Sequence, residues 1–261
     1  MAEPVLRLKS LCKRFGGLTV TDDVTLDLQP GELHALIGPN GAGKTTLINQ
    51  ICGLVAPDAG RIFLAGRDVT DLPAHGRAAL GLARSFQITS ILPGFSALKN
   101  VALAVQARSG TSFRFFGRVD AEAALNEPAQ EFLAEVGLEA RADVPAGDLA
   151  HGEQRALELA VALAMKPRLI LLDEPMAGAG PAETERLIGL LGRLKGRVAM
   201  VLVEHDMTAV FTLADRISVL IYGRIVATGE PDVVRADPRV VAAYLGEEMD
   251  SAARQIAIDG R

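Results

Sequence analysis

Gly38-Pro39-Asn40-Gly41-Ala42-Gly43-Lys44-Thr45 is a complete phosphate-binding loop of the form G-x-x-x-x-G-K-T, and its reading decides the fold. The glycines let the backbone curl until successive N–H groups converge on phosphate oxygens. Lys44 brings a point charge to the β and γ phosphates, and Thr45 offers a hydroxyl to Mg²⁺. The flanks agree with this. Residues 32–37 (ELHALI) form a short, largely apolar run of strand type. Residues 46–51 (TLINQI) open a helix whose positive dipole end faces the phosphates.

Strand, loop and helix in that order predict an α/β core, and the rest of the chain continues it. Upstream, residues 5–8 and 24–28 (VTLDL, apolar at every second position) read as half-exposed antiparallel strands. Turns at Gln29-Pro30-Gly31 and at residues 56–60 bracket the loop, and residues 61–64 read as a further strand. Residues 73–83 read as helix. Residues 88–165 differ in texture, being rich in Ala, Leu and Glu, with helical patterns over 97–105 and 121–136 and a loop over 109–118. They read as a helical insertion. Alternation then resumes, with strands over 169–172, 198–203, 217–221 and 224–227 and helices over 181–194 and 207–214. The run 169–172 (LILL) is wholly apolar, as expected of a parallel strand covered on both faces. Residues from Asp250 onward read as a weakly ordered tail.

Asp173 and Glu174 follow that apolar strand directly. In open α/β sheets ligands bind beyond the C-terminal ends of the strands. An Asp there can hold Mg²⁺ together with the loop Thr, and the adjacent Glu can take a proton from water.

Composition narrows the classes. At 261 residues the chain can build a sizeable core, and 49% apolar with 23% charged residues is an ordinary globular balance. A formal charge of −5 argues against nonspecific nucleic-acid binding. No apolar run reaches the ~20 residues of a membrane-spanning helix, and the first ten residues hold no signal-peptide core. Cys12 and Cys52 sit in no metal-ligand spacing and read as reduced and structural.

Together with GPNGAGKTT and LILLDEP, three further features resemble the ATP-binding subunits of ABC transporters over nearly the whole chain. Leu149-Ala150-His151-Gly152-Glu153-Gln154, before an Ala/Leu-rich helix, looks like the family's signature segment, usually L-S-G-G-Q. Gln87 resembles the Q-loop glutamine, and His205 in VEHD resembles the switch histidine. Phe15 stands where the family places an aromatic residue against adenine. The resemblance implies a fold: a P-loop ATPase core with an N-terminal antiparallel β subdomain and a helical insertion at 88–165, spanning residues 1–249.

It also implies a site. ATP would be held by Phe15, by Gly38, Pro39, Asn40, Gly41, Ala42, Gly43, Lys44, Thr45 and Thr46, and across a dimer by Ala150, His151, Gly152 and Glu153. Mg²⁺ would be held by Thr45, Gln87 and Asp173, and hydrolysis would rest on Glu174, His205 and Gln87. Two positions depart from the family pattern: the signature serine is Ala150, and the usual aspartate after Asp173-Glu174 falls at Gly180.

Strings such as GLARSFQ, EPMAGAGP and AAYLGEE resemble the subset that serves branched-chain amino-acid and amide or urea importers. The partners implied are transmembrane permease subunits, a solute-binding protein and a second ATPase chain, identical or a sister, with no nucleic acid. The place implied is the cytoplasmic face of the inner membrane. Two other readings stand beside import: a lipid or lipopolysaccharide export ATPase, and a soluble non-transport ATPase.

Overall fold

A computed structural model describes residues 3–85, 91–108 and 123–242. Its centre is a six-stranded sheet in the order β10-β9-β3-β8-β7-β6. These are β3 (Leu33–Ile37), β6 (Leu82–Ser85), β7 (Leu169–Asp173), β8 (Ala199–Val203), β9 (Arg216–Ile221) and β10 (Arg224–Gly229). All neighbours run parallel except β9 and β10, which form an antiparallel edge hairpin. Every residue of β3, β7 and β8 is buried, and all but His34 and Asp173 are apolar, as strands covered on both faces require.

Side chains of these strands alternate between two cores, as a period of two requires. Leu33, Ala35, Ile37, Ile170, Leu172, Met200 and Leu202 enter one core. That core extends through α3 (Ala97–Arg108), α4 (Ala123–Glu135), α5 (His151–Ala164), α6 (Pro181–Leu194) and α7 (Met207–Leu213). Leu36, Leu169, Leu171, Val201 and Val203 enter the other. They meet α1 (Lys44–Cys52) and an antiparallel sheet in the order β2-β1-β4-β5. Its strands are β1 (Leu6–Phe15), β2 (Leu18–Leu28), β4 (Ala59–Leu64) and β5 (Arg67–Asp68). Fully burying each Leu or Ile is worth about 1.5–3 kcal/mol, so both faces of the central sheet are firmly covered.

The expected α/β core, antiparallel β subdomain and helical insertion are all present. The strands expected over 5–8 and 24–28 run much further, as β1 and β2, and one stretch changes type. Residues 73–83 are not one helix: α2 spans only Ala74–Ala79, and Leu82–Ser85 joins the sheet as β6, pairing in parallel with β7. Gly81, at φ +95°, makes the break between them. The tail from Asp250 and the loop over 109–118 lie outside the described residues. No helix among the described residues is long and apolar enough to cross a membrane.

Arg77 of α2 fixes the far end of α1. Its side chain is fully buried, and its guanidinium donates to the carbonyls of Gln50 and Ile51 at 2.6 and 2.8 Å, and to those of Leu72 and Thr70. A cation at a helix C-terminus satisfies orphan carbonyls and opposes the negative dipole end. Burial lowers the Arg77 pKa below its ordinary value.

Candidate active site

The loop at residues 38–43 joins β3 to α1 at the C-terminal edge of the sheet. Two glycines are required by contact. A Cβ on Gly38 would lie 2.0 Å from the Leu220 carbonyl oxygen, and one on Gly43 would lie 2.4 Å from that of Val20, with φ at +153° and +104°. The Gly223 N–H donates to the Ala42 carbonyl at 2.9 Å, so the β9–β10 turn braces the loop from outside. Lys44 is buried, and its ammonium donates to the carbonyls of Gly38 and Pro39, the latter at 3.0 Å. Gly43 caps α1 without a side-chain acceptor, and the first turn holds no acid. The first N–H groups of α1 and the Lys44 charge therefore converge on one place, as an anion site needs. Asn40 and Thr45 are exposed and Thr46 is half-buried.

Asp173 ends β7, two strands from the loop, with a buried carboxylate. Its Oδ2 pairs with an Nη2 of Arg84 at 2.8 Å, while Oδ1 is buried with no protein partner. Glu174 follows at φ +50°, a left-handed conformation that costs a non-glycine residue about 1–3 kcal/mol. It is held there by its N–H, which donates to the Val203 carbonyl at the end of β8, at 2.8 Å. His205 Nε2 lies 3.0 Å from Glu174 Oε1.

Three residues following β8 divide the labour. Glu204 is buried and accepts from the N–H groups of Met176 at 2.7 Å and His205 at 3.0 Å, tying together the loops that follow β7 and β8. His205 faces Glu174. Asp206 caps α7, accepting from the Thr208 and Ala209 N–H groups at 2.9 and 3.2 Å.

Phe15 ends β1, half exposed at 51%, with the Lys13 ammonium 5.4 Å from its ring. Asp58 clasps this strand end: Oδ1 accepts from Lys13 at 2.8 Å and Oδ2 from the Arg14 N–H at 2.7 Å. The Lys13 hydrogen bond, aided by the Arg14 N–H, holds the Asp58 carboxyl below its ordinary value. The adjoining start of β2 carries Val20, whose carbonyl touches Gly43, so Phe15 stands on the hairpin that borders the loop.

Ala150, His151, Gly152 and Glu153 stand elsewhere, at the N-terminus of α5. Ala150 is the N-cap and has no hydroxyl to offer, so the first-turn N–H groups receive no side-chain cap. Glu153 is engaged within its own helix start. Its Oε2 accepts from the Ala150 N–H at 3.0 Å and its Oε1 pairs with Arg141 at 3.0 Å, and the Ala150 bond is the main cause of its lowered pKa. Gly152 leaves room for Glu183 of α6, whose Oε1 would lie 2.5 Å from a Cβ there. Gln87 lies outside the described residues. Between α1, α2, β6 and α5 is a largely apolar cleft of about 370 Å³ lined by Leu54, His75, Arg84, Ile91 and Met165, among others.

The family model described as "ABC transporter" matches residues 21–177, more than half of the chain. The chain belongs to the ABC transporter family. It is an ATP-binding cassette and an ATP hydrolase. A second model, "Branched-chain amino acid ATP-binding cassette transporter", matches residues 224–250 of this ABC subunit. The chain is 38% identical to the high-affinity branched-chain amino acid transport ATP-binding protein BraF of Pseudomonas aeruginosa, over 95% of the chain and all of that protein. Among solved structures it resembles the ADP conformation of the cassette MJ1267, with a TM-score of 0.81 and 29% identity over 94% of the chain and all of that one. It also resembles the dimeric post-hydrolysis state of the cassette MJ0796 bound to ADP and Pi, with a TM-score of 0.71 and 26% identity over 87% of the chain and 98% of that one.

Several residues of this cassette's site go beyond those read from sequence. Arg84 donates to Asp173 and also to Asn49. Glu204 ties the loops. Arg155 of α5 donates to the Pro175 carbonyl at 2.8 Å and to that of Ala177, joining the signature helix to the loop behind Glu174. Only Glu204 had a signal in hand: like Asp173 and Glu174, it is an acid at the end of a wholly apolar strand.

Proposed function

We propose that this ABC ATPase drives import of branched-chain or related small amino acids, with residues 1–249 acting as one nucleotide-binding domain. The match of residues 224–250 to the branched-chain amino-acid model supports the solute class. ATP is held by Gly38–Thr46, with its phosphates on the α1 N-terminus and Lys44 and its adenine on Phe15. The residues fit Mg²⁺. Asp173 offers a buried oxygen with no protein partner, and Thr45 is exposed in the first turn of α1, which follows the loop. Among the described residues no cluster of three His, Cys, Asp or Glu could hold a metal, as befits an ion carried mainly by phosphates and water. Thr45, Asp173 and Gln87 would hold it, and the chemistry it would supply there is neutralisation of β/γ phosphate charge.

The observation that carries the reading is the Glu174–His205 pair at 3.0 Å, set beside Asp173 on the same sheet edge as the loop. Glu174 takes the proton of the attacking water as the γ-phosphoryl group moves to that oxygen. His205 holds the Glu174 carboxylate and meets the γ-phosphate. Strain at Glu174 suits a side chain whose direction must be set by the backbone.

The uncapped N-terminus of α5 serves the ATP of a second ATPase subunit, identical or a sister chain, in a head-to-tail dimer. ATP closes the pair, and loss of the γ-phosphate removes the charge that bridges it. Arg141 pairs with Glu153 and so reduces the acid's repulsion of that phosphate.

The permease docks at the cleft beside β6. Leu54 lines it and is 58% exposed, and Leu92 and Phe95, on the turn that follows the cleft residue Ile91, are 47% and 45% exposed. The turn that presents the last two is rigid. Asn100 accepts from the Leu92 N–H at 2.7 Å and donates to the carbonyls of Leu92, Phe95 and Ser96. This assembly, joined by a solute-binding protein, places the chain at the cytoplasmic face of the inner membrane. Co-purification with the permease and ATPase assays across amino acids and amides test it. Stimulation by branched-chain amino acids is expected, and stimulation by lipid alone would replace import with export.

A further inference from the structure

We propose that Arg84 is a positioning residue for the metal site, aiming the free oxygen of Asp173 at the cation. This rests on the reading of Asp173 as a metal ligand. The guanidinium forks between two elements: Nη1 donates to Asn49 Oδ1 on α1 at 2.7 Å, and Nη2 to Asp173 Oδ2 on β7 at 2.8 Å. Arg84 itself sits on β6, the strand beside β7, with a side chain only 15% exposed.

The geometry is selective. An Asp carboxylate buried to 1% exposure could turn either oxygen outward or pair both. Here one oxygen is occupied by a fixed, planar donor and the other is left buried and unpartnered. A group that only neutralised Asp173 could be any cation. A fork anchored on Asn49 also locks the carboxylate's rotation and ties it to α1, the helix that begins at Lys44 and Thr45. Outer partners of ligating carboxylates orient them in this way, and their loss typically costs about 10–100-fold in metal affinity.

The test uses ADP, so that hydrolysis plays no part. Mn²⁺ binding to the protein–ADP complex is titrated by electron paramagnetic resonance, and ADP affinity is measured separately in EDTA with a fluorescent analogue. Arg84→Gln should weaken Mn²⁺ binding about 10–100-fold and leave metal-free ADP affinity unchanged. Arg84→Lys, which keeps charge but not the fork, should fall between. Asp173→Asn serves as the reference and should lose Mn²⁺ binding. Unchanged or tighter Mn²⁺ binding in Arg84→Gln, with loss in Asp173→Asn, would overturn the role of Arg84 alone. Unchanged binding in Asp173→Asn would overturn the metal site itself. Equal loss of Mn²⁺ and metal-free ADP affinity in Arg84→Gln, or full rescue by Arg84→Lys, would make Arg84 a structural counter-charge and refute the proposal.

Discussion

His205 Nε2 lies 3.0 Å from Glu174 Oε1, joining the residue after β8 to the residue after β7 across the catalytic edge of the sheet. Neither is adjacent in sequence, yet the parallel register of β7 and β8 brings the two strand ends together. If Glu174 receives the water proton, Glu174→Gln slows hydrolysis by about 10²–10⁴-fold without loss of nucleotide affinity. His205→Ala slows it by a similar order. Single-turnover ATP hydrolysis measures both, and near-normal turnover of Glu174→Gln would remove it as the base.

Glu204 acts on the same pair from behind. Glu204→Ala leaves the buried Met176 N–H and the partly buried His205 N–H without their acceptor. Each such orphan costs about 1–3 kcal/mol. Thermal unfolding should show the loss, and turnover should fall as His205 loosens. A variant as stable as the parent would show that water replaces the carboxylate.

Much of this was legible in the sequence, for reasons that differ by residue. Gly38–Thr45 is contiguous, so its chemistry needs no tertiary contact to be read. Pro181 at the first position of α6, the apolar run 169–172 of β7 and the wholly apolar β8 announce their own elements. Residues 73–83 misled because a helical pattern runs into Gly81, and only pairing with β7 makes Leu82–Ser85 a strand. Arg84 carries no such local signal, since its meaning arises from Asp173, which lies 89 positions away. Glu153 was read with the nucleotide ligands because it falls within the signature segment. In the structure its carboxylate serves the Ala150 N–H and Arg141.

Ala150 departs from the family's serine, and α5 has no side-chain N-cap. Ala150→Ser should tighten the ATP-dependent dimer in a Glu174→Gln background, since a hydrogen bond to a charged group is worth about 1.5–3 kcal/mol before competing losses. Sedimentation equilibrium reads the change. Equal affinities would exclude a role for this position across the interface.

Arg155 links the signature helix to the loop behind Glu174 through the Pro175 and Ala177 carbonyls. Arg155→Ala should preserve ATP binding by the single chain and weaken both dimer formation and turnover. A loss confined to monomer stability would reduce Arg155 to a packing role.

The Asp58 clasp on the Phe15 strand end predicts a pH dependence. Lys13 and Arg14 depress its pKa below the ordinary 3.8. The clasp therefore contributes above that ordinary value and is lost as pH falls through the depressed one. Asp58→Asn should lower stability and adenine-nucleotide affinity at neutral pH, and the stability gap to the parent should close in acid. A gap that persists unchanged there would assign the effect to shape, not charge.

The central claim is that one ATP is clamped between the loop Gly38–Thr46 of one chain and the α5 N-terminus of another. Sedimentation of Glu174→Gln tests it most directly. Its mass should double with ATP, but not with ADP, while the ADP-bound chain stays a monomer. A protein that binds ATP and remains a monomer at every concentration would contradict it.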